Sequence, residues 1–351
     1  MIYVIMLNKR YFYDKKPLLK LNKLQLKVKN QIDEKVDNKT YAFEKISCVI
    51  CMSDDFEPLA EKDRYGLYMP VVICKKCGLM QTNPRMNLES YNSFYDIEYP
   101  KLYVGMEKPK DDFFLKQYRH GIFIYEYIEK ISGKPIKNKF VAEVGTGAGG
   151  ILQYFKEKNN EVYGVDLGSE YVKFGKHKGL NLEVGTIDKL YSLKKKPDIV
   201  IYSHIVEHLL NPVDELKKLK SFLNKEGLLY IEVPGLKNLY DSYEQDFLKY
   251  LQNAHTYHFT LNSLTNCANK SGFELLSGDE FIHSLFKMGK ADENYKNDCS
   301  STLAFLKKLE SERSKPLSLR RLKSKITSFA VFLLIKTRTF RIARRIYYLV
   351  K

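Results

Sequence analysis

Glu143-Val144-Gly145-Thr146-Gly147-Ala148-Gly149-Gly150 is the stretch on which the reading of this chain turns. An apolar run, Phe140 to Val144, leads into it, and a helical pattern of Ile151, Leu152, Tyr154 and Phe155 follows. The spacing predicts a strand that ends on a glycine turn and opens a helix. Glycines permit positive φ and let a backbone approach a ligand closely. The helix N-terminus beyond them offers unpaired N–H groups. Taken alone the pattern is ambiguous, because Gly145, Gly147 and Gly150 also fit the dinucleotide spacing G-x-G-x-x-G, which has low specificity by itself.

Two acidic residues narrow it. Asp166 ends a second apolar strand, Val162 to Val165, within reach of a ribose diol, and suits NAD or S-adenosylmethionine equally. Glu143 favours S-adenosylmethionine, since a carboxylate there suits the cationic, amino-acid end of that cofactor. Together with His204-Ile205-Val206-Glu207-His208, these residues resemble the class I S-adenosylmethionine-dependent methyltransferases over roughly residues 138 to 285. The resemblance implies that Gly145, Gly147 and Gly149 cradle the methionine part and that Asp166 binds the ribose hydroxyls. It also places Ile187 and Asp188, after the third strand, against adenine. The full expected cofactor-binding set is Glu143, Gly145, Thr146, Gly147, Gly149, Asp166, Leu167, Ile187, Asp188, Ser203 and His204.

The second signal is Cys48-x-x-Cys51 and Cys74-x-x-Cys77. Paired knuckles bring four thiolates to the corners of a tetrahedron, the geometry of structural zinc with no open position. The strand-like segment between them, Arg64 to Ile73, suits a ribbon. Cys74-Lys75-Lys76-Cys77-Gly78-Leu79, then Thr82-Asn83-Pro84-Arg85 and Tyr91-x-x-Phe94-Tyr95, is similar to the zinc domain that precedes some bacterial sugar methyltransferases. That family methylates nucleotide-linked sugars or surface glycans, which makes a sugar, nucleotide-sugar or glycan the expected acceptor. Cys267 and Cys299 stand apart and read as ordinary cysteines.

The expected fold class is α/β, a Rossmann-like doubly wound sheet with a small N-terminal zinc ribbon and a basic helical C-terminal tail. Strands are expected at 140–144, 161–166, 181–184, 198–203 and 228–233, with helices at 150–158, 169–178 and 212–223. A closing unit follows, helix 261–271 and strand 273–277. The expected organisation is a basic extension (1–45), a zinc-binding domain (46–90), a helical connector (91–137), the methyltransferase domain (138–290) and a basic tail (291–351).

At 351 residues, 44% apolar and 13% aromatic, the chain can bury a core and is not a disordered protein. The net charge of +16 sits at the two ends, and residues 46–312 are close to neutral, so the charge does not argue for nucleic acid at the catalytic region. No convincing signal peptide or membrane span is present, and the cytoplasm is the expected compartment. Residues 313–351 hold twelve Lys or Arg and no acid around a helical stripe that includes Leu322, Ile326, Phe329 and Leu333. This predicts a helix on anionic lipid at the inner face of the cell membrane, with docking on the core or a partner, and a nucleic-acid arm, as the rivals. Residues 7–30, Lys-rich with Leu18, Leu19, Leu21, Leu24 and Leu26, read as a poorly ordered extension.

The histidines carry the chemical question. His204 follows the fourth strand, with Glu207 and His208 within a helical turn; His204 and His208 share a face if that turn is regular. His255-Thr256-Tyr257-His258-Phe259-Thr260 resembles the H-x-x-Y-F-[ST] segment of sugar methyltransferases, with His258 in place of Tyr. His204, His255, Glu207, His208 and His258 are therefore the candidate catalytic residues. Methyl transfer needs donor and acceptor in line, and for O-methylation a base near the hydroxyl, for which His204 or His255 qualifies. The chain reads as a methyltransferase acting on a sugar. The alternatives are an RNA or protein methyltransferase docking through ribbon and tail, and a non-catalytic binding protein that keeps the cofactor fold.

Overall fold

The computed structural model describes residues 6–104, 109–240 and 242–314. The expected lipid-facing tail lies, beyond Ser314, outside the described residues. In chain order the strands are β1 (Phe43–Glu44), β2 (Phe56–Lys62), β3 (Tyr68–Cys74), β4 (Met80–Thr82), β5 (Arg85–Met86), β6 (Phe140–Val144), β7 (Glu161–Asp166), β8 (Leu182–Val184), β9 (Ile199–Ser203), β10 (Leu228–Glu232), β11 (Tyr257–His258), β12 (Phe273–Gly278) and β13 (His283–Met288). The helices are α1 (Lys23–Asp37), α2 (Leu88–Ile97), α3 (Asp111–Ser132), α4 (Gly150–Glu157), α5 (Ser169–His177), α6 (Asp188–Tyr191), α7 (Pro212–Phe222), α8 (Phe247–Tyr250), α9 (Leu261–Lys270) and α10 (Cys299–Ser314).

Seven strands form the central sheet in the order β12-β13-β10-β9-β6-β7-β8. The run from β8 to β10 is parallel and has the strand order of a doubly wound fold, so the expected Rossmann-like architecture is present. The inner strands are apolar on both faces, as parallel strands covered by helices must be; β6 is buried throughout. The chain leaves β6 towards β7 on one side, while β9 lies on the other. That reversal opens a crevice beyond the carboxyl ends of β6 and β9, where ligands of such sheets bind. One strand escapes the sequence pattern. β13 inserts antiparallel between β10 and β12, and its mixed composition, His-Ser-Leu-Phe-Lys-Met, lacks the apolar run of its neighbours.

A smaller sheet, β11-β4-β3-β2, holds the cysteine knuckles. Its outermost strand is supplied by residues 257–258, far along the chain: Tyr257 pairs with Gln81 and His258 with Met80. The hydrogen bond from Thr82 N–H to Thr256 O, at 2.9 Å, continues the pairing. Buried Cys48, Cys74 and Cys77 share one apolar cluster with Val144, Val200 and Tyr257. The knuckle region and the segment carrying His255 are thus built together.

The N-terminal segment differs from the expectation of a poorly ordered extension. Asn22 and Gln25 form a capping box at the start of α1. Val28 and Ile32, one helical turn apart, are buried with Tyr41, Tyr65, Phe94 and Leu102. The Tyr11 hydroxyl donates to Glu310 Oε1 on α10 at 2.6 Å. The lysines that suggest disorder in the sequence occupy mainly the helix's outer face, while a two-residue apolar stripe is enough to dock it.

Candidate active site

The glycine loop is shaped from both sides. Gly145, Gly147 and Gly149 all have positive φ. At Gly145 a Cβ would stand 2.0 Å from Ile205 Cδ1, so the loop after β6 and the loop after β9 close on each other only because that residue is glycine. Asp166, at the end of β7, accepts from Gly147 N–H and Gly168 N–H, each at 2.7 Å. Burial pushes its pKa up against those two donors. From α3, Gln117 donates to Thr146 O at 3.1 Å and accepts from Ala148 N–H at 3.2 Å. It clamps the loop from a helix that carries no motif. Glu143 is buried, accepts from the Thr146 hydroxyl at 2.8 Å, and burial raises its pKa well above the usual carboxylate range. A cationic partner is what such a carboxylate lacks.

At the rim, Leu167 and Val184 are 64% and 47% exposed. Two large aliphatic side chains left open at neighbouring strand ends form a surface that a flat ring can cover. Ile187 is buried in the core instead. Asp188 is exposed and accepts from the Thr186 hydroxyl at 3.0 Å. The set that the structure brings to the crevice is therefore Glu143, the glycine loop with Thr146, Asp166 and Leu167, with Val184 added. These residues fit S-adenosylmethionine: a carboxylate for its ribose, a buried acid for its ammonium and an apolar ledge for its adenine.

Across the crevice, His204 sits just after β9 with φ at +58°, and the 3-10 turn Val206–His208 follows. The segment is not a regular helix, so the pairing of His204 and His208 on one face does not arise that way. His204 Nδ1 is 3.5 Å from Glu207 Oε1, and its Nε2 is 3.5 Å from Glu232 Oε1. Burial opposes a charge on this imidazole, but the two carboxylates outweigh it and push its pKa up to about 10. Its side chain is half-exposed to the crevice, which screens part of that attraction; the direction stands. Ser203 is beside it, its hydroxyl 3.4 Å from Glu232 Oε2.

Sequence reasoning missed Glu232 and its other partners. His120 Nε2 on α3 lies 2.6 Å from Glu232 Oε2, and His283 Nε2 on β13 lies 3.8 Å from Oε1. Burial raises the Glu232 pKa, but His120 and His204 more than offset it and hold it far below the usual range. No spacing rule links residues 120, 204, 232 and 283. The available signal was that Glu232 ends an otherwise apolar strand on the ligand face.

Deeper in, His208 and His255 pack edge to face with ring centroids 4.7 Å apart. Burial lowers the pKa of both, His255 most strongly, so both are neutral near pH 7. His258 lies in β11 and its ring centroid is 5.4 Å from that of Tyr250. Burial holds its pKa at about 3, and neither ring nitrogen has a hydrogen-bond partner among the described residues. The Tyr91 hydroxyl donates to His208 O at 2.5 Å and the Thr256 N–H to Glu207 O at 2.8 Å, which pins the two histidine-bearing loops together.

The four knuckle cysteines converge as the spacing predicts. Cys48 and Cys77 Sγ are 3.4 Å apart, as are Cys51 and Cys74 Sγ. That is far beyond a disulfide's ~2.05 Å, and close to the ~3.8 Å that separates thiolates around one zinc at ~2.3 Å. All four sulfurs lie within 4.8 Å of one another. The donor set fits a four-thiolate zinc.

Residues 114–277, just under half of the chain, match a family model described as a methyltransferase domain. The chain carries a methyltransferase domain. Solved structures similar to it include an S-adenosylmethionine-dependent methyltransferase from Archaeoglobus fulgidus, 26% identical over 44% of this chain and 69% of that one, with a TM-score of 0.36. Another, from Clostridium acetobutylicum, is 14% identical over 57% and 99% of the two chains, with a TM-score of 0.39. Magnesium protoporphyrin IX methyltransferase from Synechocystis, with S-adenosylhomocysteine bound, is 16% identical over 50% and 86%, with a TM-score of 0.37. No curated protein matches the chain. No helix among the described residues is long and apolar enough to cross a membrane.

A pH dependence is expected from His204. A raised pKa means the imidazolium persists through neutrality and is lost only as pH rises towards about 10. We expect kcat/KM to show an alkaline limb near there that disappears in His204→Gln, and no limb near pH 6.5 from this residue. A limb near 6.5 that vanishes in that variant would show that the carboxylates do not hold the proton.

Proposed function

We propose that this methyltransferase acts on a hydroxyl of a sugar, carried by a nucleotide or a surface glycan, with a structural zinc in its knuckles. The observation that carries the reading is the polar floor of the crevice. Glu207 is only 2% exposed, yet neither of its carboxylate oxygens accepts a hydrogen bond among the described residues. A buried acceptor of that kind calls for a donor from a ligand, and hydroxyl groups are donors of the right size. S-adenosylmethionine, when bound, supplies the methyl group as an electrophile.

The chain's own residues do the rest. Asp166 and the glycine loop hold the ribose and the amino-acid end, and Leu167 and Val184 lie under the ring. His204, as an imidazolium, is a donor rather than a base near neutral pH, and it orients the acceptor at the end of β9. Glu207, His208 and His255 receive the hydroxyl on the far side, which is the alignment that in-line transfer needs. The four thiolates would hold zinc with no position left for chemistry; their role is to fix β4, on which β11 and the His255 loop are laid.

The test is a panel of soluble nucleotide-sugars and glycans, RNA and protein, each incubated with enzyme and S-adenosylmethionine. The readouts are S-adenosylhomocysteine release and product mass. A product 14 Da heavier (the mass of one added CH2) on a sugar hydroxyl is expected. Turnover of RNA alone, falling steeply with salt, would move the enzyme to the nucleic-acid class.

A further inference from the structure

Beneath the proposed acceptor position, three side chains face one another without a shared partner. One ligand atom from each of Glu207, His208 and His255 lies within 4.8 Å of the other two, and His208 Nε2 is 3.8 Å from Glu207 Oε1. Ligands of a single tetrahedral ion at ~2.1 Å stand about 3.4 Å apart, so no pair of the three needs to close by more than about 1.4 Å. We propose that Glu207, His208 and His255 bind a divalent transition-metal ion, in addition to any zinc held by the knuckle cysteines.

Three observations carry this. Both Glu207 oxygens are buried without a hydrogen bond among the described residues. The nearest cation, His204, stands 3.5 Å away and is shared with Glu232, which is longer than the ~2.7–2.9 Å of a charge-assisted hydrogen bond. Next, the tautomer of His208 is set by its surroundings. Its Nδ1 lies 2.6 Å from the Tyr95 hydroxyl and 2.9 Å from Ala254 O; the carbonyl can only accept and the Tyr95 hydroxyl donates to that same carbonyl at 3.2 Å, so Nδ1 carries the proton and the Nε2 lone pair faces Glu207. Metal-binding histidines are held in this way, by a carbonyl on the other ring nitrogen. Lastly, His255 Nδ1 is buried with no partner among the described residues.

His255 Nε2 lies 2.8 Å from the Gln252 side-chain amide nitrogen, while the Gln252 oxygen accepts from Arg64. Metal binding through Nδ1 puts the proton on Nε2. Gln252 then turns its amide, exchanging the Arg64 hydrogen bond for one from His255. A carboxylate in its place would accept from both at once. Two imidazole nitrogens and one carboxylate oxygen suit zinc, iron(II), cobalt(II) or manganese(II). An ion there would leave positions open towards the acceptor hydroxyl and act on it as a Lewis acid.

The experiment uses the full chain, loaded with Zn2+, freed of excess by gel filtration and measured for metal per chain. Metal is expected to bind outside the cysteines: wild type holds one equivalent more than Glu207→Gln and one more than His255→Ala, with the knuckle cysteines intact in all three. S-adenosylhomocysteine affinity reports that each variant is folded. Gln252→Glu should bind that equivalent about 10-fold more tightly, a gain that a merely structural role would not produce. A wild-type chain whose metal content is unchanged in both Glu207→Gln and His255→Ala overturns the proposal. None of these readouts depends on turnover or on the acceptor, so failure of the sugar reading leaves them intact.

Discussion

Asp166→Ala is expected to weaken S-adenosylhomocysteine binding by at least about 100-fold, measured by calorimetric titration. The carboxylate has two tasks at once. It accepts from Gly147 N–H and Gly168 N–H at 2.7 Å each, and so joins the glycine loop to the end of β7. On the proposed reading it is also the acid that meets the ribose. Hydrogen bonds to a charged group contribute about 1.5–3 kcal/mol each; losing both from the loop removes on the order of 3–6 kcal/mol that organises the site, and the ligand's own hydrogen bond is lost as well. The loop keeps Gln117, the hydrogen bonds from Gly145 N–H and Thr146 N–H to Val165 O, and that from the Thr146 hydroxyl to Glu143, so the fold should survive. Metal content should not change, because the knuckles belong to a different sheet. An affinity within threefold of wild type would mean that the cofactor lies elsewhere.

The second large effect is expected at the knuckle. Cys77→Ser should lose the zinc, lower Tm by about 10 °C or more and abolish acceptor turnover while leaving S-adenosylhomocysteine binding near wild type. Structural zinc contributes on the order of 10 kcal/mol to the folding of the domain it organises, and each kcal/mol shifts Tm by about 2–4 °C at this size. Cys77 is fully buried in the same cluster as Tyr257 and Phe259, so the damage does not stop at the knuckle. Strand β11 hangs on β4 by the Tyr257–Gln81 and His258–Met80 pairs. When β4 loosens, His255 and the floor of the crevice move, whereas the glycine loop is held by β6, β7 and α3. Unchanged Tm and turnover in Cys77→Ser would show that the thiols hold no structural metal.

The parts of this enzyme that were legible in the sequence are those written in short-range spacing. Three turn glycines after an apolar run specify a strand, a turn and a helix start, whatever the rest of the chain does. A carboxylate closing the next apolar run must lie beside that turn, because neighbouring parallel strands put their ends together. Cys-x-x-Cys forms a knuckle locally, and the sequence-based expectation of two such knuckles meeting needed only one hairpin. The N-terminal helix was misread for the converse reason: its apolar stripe is two residues deep, and only the surface built by Tyr41, Phe94 and Leu102 makes it worth docking.

Tertiary structure alone decided the chemistry around His204. Its proton is held by Glu207, three residues away, and by Glu232 on the next strand, each at 3.5 Å. His120 and His283 then compete for Glu232 from elements far apart in the chain. Periodicity encodes which face of an element is buried, but a pKa depends on the distance between charges. That distance is set by β13 entering between β10 and β12, and by α3 crossing the strand ends. Local spacing therefore identified the fold and the glycine loop, while the protonation state of His204 came from contacts no local pattern contains.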